Sequence, residues 1–178
     1  MDLQQFEPTS PEEFIGEPQQ QWCRILLDSV RTIKETGNGN LKVLIKGPPG
    51  IGKTSMARVV AHALVDKEHR IVDLIEESAA DMQIDWVRQL KSEMHDVPMG
   101  GFKAIIVDEA DELPDKCETL FLKIMDDLPR GTVMIFTSNE KQLSKRFEDR
   151  CFRVPLTNPN ESEMAKWLKD NTELNDRR

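Results

Sequence analysis

The eight residues GPPGIGKT at 47–54 constrain this chain more than any other stretch. They follow directly on LKVLIK at 41–46, an apolar run of strand length, and lead into a segment of helical periodicity from Lys53 to Val65. The string fits G-x-x-x-x-G-K-[ST] in the strand–loop–helix context that gives it meaning. Gly47, Gly50 and Gly52 let backbone N–H groups converge on an anion where a Cβ would collide or forbid the dihedral. Pro48 and Pro49 stiffen the loop by fixing φ. A helix starting near Lys53 aims its positive end and free amides at the same point. Lys53 is then placed to pair with the β- and γ-phosphates of a nucleotide, and the Thr54 hydroxyl to ligate Mg²⁺. The nucleotide-binding stretch expected here comprises Gly47, Pro48, Pro49, Gly50, Ile51, Gly52, Lys53, Thr54 and Ser55. A ligand-free glycine turn would give no reason for Lys and Thr at those two positions.

A second signal lies in FKAIIVDEADEL, where Asp108 and Glu109 end an apolar strand. Parallel sheets present their ligands at such strand ends. A carboxylate at 108 suits Mg²⁺, and Glu109 suits a general base that polarises an attacking water. Acids at a strand-to-helix turn also cap helices, but the phosphate loop upstream favours the metal-and-base reading. The letters DEAD do not make a DEAD-box helicase. That class needs two such domains and Ser-Ala-Thr on the next strand, whereas the next strand here ends Thr137-Ser138-Asn139.

The remaining pattern alternates. Helical spacing runs from about Gln19 to Lys34, a strand from Arg70 to Leu74, a helix from Met82 to Met94 and a strand over 102–107. A helix from Asp115 to Asp127, a strand over 132–137, a short helix from Lys141 to Phe147, a strand over 151–156 and a helix from Glu161 to Asp170 complete the series. Five strands separated by helices imply right-handed crossovers and a parallel sheet covered on both faces. The continuous apolar runs KVLI, AIIV and VMIF suit strands buried on both sides. The fold class expected is α/β, a three-layer phosphate-loop NTPase fold with a five-stranded parallel sheet. In 178 residues this is one domain, read as an N-terminal arm (1–13), a nucleotide-binding domain (14–157) and a C-terminal helix and tail (158–178).

Composition narrows the partners. A formal charge of −8 repels bare nucleic acid on average, so DNA contact requires a local basic patch or a partner protein. No apolar run approaches a membrane span, and the first residues carry no apolar leader. The expected location is therefore the cytoplasm, with no membrane partner. Cys23, Cys117 and Cys151 are odd in number and form no C-x-x-C pair, which disfavours a disulfide framework or a zinc site.

These motifs together resemble the nucleotide-binding domain of AAA+ ATPases, specifically the clamp-loader group. FIGEP at 14–18 is similar to the family's N-terminal segment beside the adenine, which implies contacts from Ile15 and Gly16. GPPGIGKT and IIVDEAD resemble its Walker A and Walker B motifs, and ETLFLKIMDDLP the helix that follows. VMIFTSN resembles the sensor 1 strand, and RFEDRCFRVPL the segment carrying Ser-Arg-Cys. The resemblance implies ATP and Mg²⁺ as cofactors, with Thr54 and Asp108 on the metal. It implies Lys53, Glu109, Asn139 and Arg150 in catalysis, with Asn139 as sensor 1 and Arg150 as an arginine finger reaching a neighbouring subunit. Asn139 as a plain N-cap is the alternative to the first role. Asp149 replaces the motif's serine, and Arg146 and Arg153 are rival fingers. Implied partners are other AAA+ subunits, and through them a sliding clamp and primer-template DNA. The resemblance reads the C-terminal helix and tail (158–178) as a remnant or the start of the family's helical lid. Two readings follow: a Mg²⁺-dependent ATPase, weak without partners, or a nucleotide-gated binding module with little turnover. His62, His69 and His95 show no ligand spacing, and Arg88 and Lys91 are DNA candidates by position only.

Overall fold

The computed structural model describes residues 7–139 and 143–175, with side chains up to residue 169. Helix α1 (Glu17–Thr36) is followed by β1 (Leu41–Lys46), α2 (Lys53–Leu64), the single turn α3 (Arg70–Asp73) and β2 (Leu74–Ser78). Then come α4 (Ile84–Glu93), β3 (Lys103–Asp108), α5 (Asp115–Asp126), β4 (Thr132–Ser138), α6 (Lys145–Glu148), β5 (Phe152–Pro155) and α7 (Glu161–Asn175). The five strands form one all-parallel sheet in the order β2-β3-β4-β1-β5.

Alternation along each strand divides the core in two. Val43, Ile45, Ala104, Ile106, Val133, Ile135 and Val154 face α1 and α2, whereas Leu44, Ile105, Val107, Met134 and Phe136 face α4, α5 and α6. Both faces are covered, which is why the central strands read as unbroken apolar runs. On the second face Phe136 stacks edge-on against Phe121 and Phe147, at centroid distances of 5.6 and 4.7 Å.

Two sequence expectations shift. Residues 70–73, read as strand from their apolar Ile71 and Val72, form the helical turn α3, and the strand is Leu74–Ser78. Helix α6 begins at Lys145 with Ser144 as its N-cap, accepting from Phe147 N–H; Lys141, the expected start, lies outside the described residues. In α7, Met164 and Leu168 are exposed, and Trp167 donates its Nε1–H to Glu13 O at 3.1 Å.

Candidate functional site

Sheet order converges three chain segments at one edge of the molecule. β1 runs into the 47–52 loop, β3 ends at Asp108, and β4, lying between them, ends at Ser138 beside Asn139. The loop is anchored at its base, where Gly47 N–H donates to Ser138 O at 3.2 Å. At its far end Gly52 has φ 92°, a conformation that favours glycine. Helix α2 starts immediately after it with no side-chain cap and no acid in its first turn. Its N-terminal amides and dipole are therefore left for something other than the chain's own carboxylates.

Lys53 is 8% exposed. Its ammonium donates to Gly47 O at 2.9 Å, Pro48 O at 2.8 Å and Asn139 Oδ1 at 2.9 Å. Burial pushes its pKa below the usual lysine value, and the charges of Asp108, Asp111 and Glu109, in falling order, oppose that shift. Beside it Thr54 Oγ1 donates to Asp108 Oδ1 at 2.7 Å. Asp108 Oδ1 also accepts from Thr137 Oγ1, and Thr137 Oγ1 in turn accepts from Glu109 N–H at 3.0 Å. Glu109 is exposed and is the one non-glycine residue with positive φ among those described, at φ 54°. A left-handed glutamate carries strain of order 1–2 kcal/mol, and Thr137 is one of the contacts that hold it.

Asn139 is fixed at both ends, because its N–H donates to Asp111 Oδ1 at 3.0 Å while its side chain receives Lys53. Two buried side-chain oxygens among the described residues lack a donor, Gln19 Oε1 and Asp111 Oδ2. Gln19 Nε2 donates to Thr157 O at 2.6 Å, tying the start of α1 to the segment after β5. Gly16 lies directly over its amide, and Ile15 is half-buried. Phe14 packs against Gly52, so the 14–16 segment flanks the loop.

Two hydrogen-bonded groups thus lie side by side, Lys53 with Asn139 and Thr54 with Asp108, and Glu109 stands at the rim of the second. Arg150 stands apart. It makes a bidentate pair with Asp126, at 2.8 and 3.1 Å, and donates to Arg146 O at 2.9 Å. Asp149, which replaces the motif's serine beside Arg150, pairs instead with Arg153 at 3.1 Å. Sequence reasoning passed over Thr137 and Asp111. Their only signal was adjacency of the β3 and β4 ends, which needs the strand order.

A central strand feeding a glycine loop and lysine at an uncapped helix start, with acids at the end of β3, defines the phosphate-loop NTPase class. Within it, the profile of the ATPase family associated with various cellular activities (AAA) matches residues 43–156, and the chain belongs to that family. It is 27% identical over 175 residues to the replication factor C small subunit of Thermofilum pendens, covering 93% of this chain and 51% of that one. It is also 27% identical over 156 residues to replication factor C subunit 4 of Saccharomyces cerevisiae, covering 84% and 48%. The chain spans about half the length of the curated relatives it matches. Among solved structures it superposes on a DNA polymerase III gamma subunit-related protein of Thermotoga maritima (TM-score 0.62, 20% identity, 77% of this chain and 47% of that one). It also superposes on the RuvB Holliday junction branch migration motor of the same organism (TM-score 0.68, 21% identity, 96% and 55%). These likenesses extend to the fold, including the parallel sheet. Among the described residues no helix is long and apolar enough to cross a membrane.

Proposed function

We propose that the chain is a clamp-loader-like AAA+ module that binds and hydrolyses ATP with Mg²⁺ in a DNA replication or repair assembly. The observation that carries this reading is the buried Lys53 ammonium, held on main-chain oxygens at an uncapped helix start next to the Thr54–Asp108 pair. A buried cation ringed by acceptors, under a loop of free amides, is matched by a polyphosphate.

The residues also suit Mg²⁺. Thr54 Oγ1 and Asp108 Oδ1 are hard oxygens already in contact, and no cluster of three His, Cys, Asp or Glu occurs among the described residues. That donor set suits a cation taking one or two protein ligands and completing its shell with phosphate oxygens and water. When bound, Mg²⁺ would neutralise charge on the transferred phosphoryl group. The loop amides and Lys53 orient the phosphates, Asn139 donates its side-chain amide toward the terminal one, and Glu109 accepts a proton from the attacking water. Ile15 and Gly16 flank the nucleoside.

Arg150 is the finger supplied to a neighbouring AAA+ subunit. Relatives named replication factor C support an assembly that meets a sliding clamp and primer-template DNA inside the cell. The domain is 14–157, with 1–13 as an arm and 158–178 as a C-terminal helix and tail.

The bidentate Arg150–Asp126 pair favours a second reading. With the finger tied within its own chain, the module binds nucleotide and docks on a partner with little turnover. Calorimetry with Mg-ATP and steady-state turnover test both. Heat of binding is expected for the parent chain and none for a folded Lys53→Ala variant. Glu109→Gln keeps binding and slows hydrolysis roughly 10²–10⁴-fold, the worth of a general base. Turnover per molecule that rises with protein concentration, and loses that rise in Arg150→Ala, supports the ATPase. Retained binding with a flat, near-zero rate supports the docking module, and no heat from the parent overturns both.

A further inference from the structure

We infer that Asp111 is a positioning residue which, acting through Asn139, sets how well the site distinguishes a nucleoside triphosphate from a diphosphate. The inference rests on the nucleotide-site reading above and adds to it a residue that touches no phosphate.

Asp111 sits in the 3₁₀ turn Ala110–Glu112, directly after left-handed Glu109. From there it reaches across to the end of β4 and accepts the Asn139 backbone N–H at 3.0 Å. The peptide that carries this N–H is held on its carbonyl side by Gly47 N–H, which donates to Ser138 O at 3.2 Å, and on its N–H side by Asp111. Without the Asp111 carboxylate only the carbonyl side is held, so the peptide can tilt, and the side chain on Lys53 Nζ shifts with it. Asp111 therefore decides where the Asn139 amide points, and Lys53 reads the result.

The other oxygen of the same carboxylate supports a role beyond capping. Oδ2 is buried without a donor among the described residues, and such a group costs about 1–3 kcal/mol. A hydroxyl or amide would satisfy the Asn139 N–H without that cost. Buried unsatisfied groups and strained dihedrals gather at functional sites, and Oδ2 lies two residues from the strained Glu109.

Lys53 serves the β- and γ-phosphates alike, whereas the Asn139 side-chain amide is directed to the terminal phosphate of a triphosphate alone. The inner phosphates are gripped by loop amides that Asp111 does not touch. Loss of Asp111 should therefore weaken triphosphate binding selectively.

The test compares affinities for Mg-ADP and a non-hydrolysable Mg-ATP analogue by fluorescence titration. It uses the parent, Asp111→Ala, Asp111→Asn, Asn139→Ala and the double variant Asp111→Ala/Asn139→Ala, with melting curves to establish folding. In Asp111→Ala the triphosphate-to-diphosphate affinity ratio should fall roughly 5–10-fold, the net worth of about one ordinary hydrogen bond. The diphosphate Kd should stay within about two-fold. Asp111→Asn, which keeps an acceptor for the Asn139 N–H, should recover most of the ratio. The double variant should show no lower ratio than Asn139→Ala alone. Should Asp111→Ala not fold, Asp111→Glu, which moves the acceptor by one methylene, carries the same expectation. A parental ratio in the alanine variant, equal weakening of both nucleotides, or multiplying losses in the double variant each overturn the assignment. A parent chain that binds neither nucleotide instead removes the nucleotide-site reading itself.

Discussion

Gly47 marks the closest approach between the 47–52 loop and the last strand. A Cβ built there would lie 2.6 Å from Leu156 O and 3.1 Å from Leu156 Cβ. Backbone rather than a flexible side chain stands in the way, so Gly47→Ala must push the loop or the end of β5 aside. Overpacking of this kind costs about 1–3 kcal/mol, roughly 3–10 °C in melting temperature for a chain of this length. Nucleotide affinity should fall with it, because the displaced segment carries the carbonyls that hold Lys53. A melting curve matching the parent would mean that β5 yields without cost. At this scale the sequence was legible where chemistry is contiguous: Lys53 and Thr54 announce themselves within eight residues. Thr137 and Asp111 act across 29 and 28 residues onto Asp108 and Asn139. Neither belongs to a string whose spacing carries meaning, so only the neighbouring ends of β3 and β4 bring them into view.

At the scale of elements, the three central strands were read directly because burial on both faces makes them apolar throughout. The edge strand β2 was misplaced by four residues for the opposite reason. Its sequence LIEES is half polar, and Glu76 faces outward to pair with Arg58 at 2.6 Å. The more strand-like Ile71 and Val72 lie in α3, 95% and 55% exposed. What fixes the turn is Asp73, 1% exposed, whose carboxylate accepts Met99 N–H at 3.1 Å and Gly100 N–H at 2.7 Å. Asp73 thus clamps the entry of β2 to the loop that feeds β3. Asp73→Ala leaves two amide donors without that acceptor, at about 1.5–3 kcal/mol. Lower thermal stability, with faster hydrogen exchange at Met99 and Gly100, is the expected outcome. Unchanged exchange there would show that the clamp does not hold the loop.

Across the whole molecule, the sheet keeps a cysteine in each half of the core. Cys23 packs with α1 and α2 on one side, and Cys117 with α4 and α5 on the other, where Cys151 lies against the same cluster. Burial pushes the thiols of Cys23 and Cys151 up to about 12, and that of Cys117 upward as well. Folded, they hold their protons; unfolded, they ionise near 9. A folded value above the unfolded one means that this contribution to stability is complete below about 9 and is lost as pH rises toward about 12. Denaturant midpoints should therefore fall across that window, and with no tyrosine in the sequence the thiolate absorbance can be followed without phenolate beneath it. The same thiols report whether the two layers part independently. The five strands are shared by both cores, so opening either layer strips one face of the sheet and loosens the strands on which the other layer rests. Alkylation of Cys23 and Cys117 under mild denaturant, resolved by mass spectrometry, should proceed at one common protection free energy. If Cys117 is modified while Cys23 stays protected, the α4–α5 layer opens alone, and the sheet does not bind the two halves into a single cooperative unit.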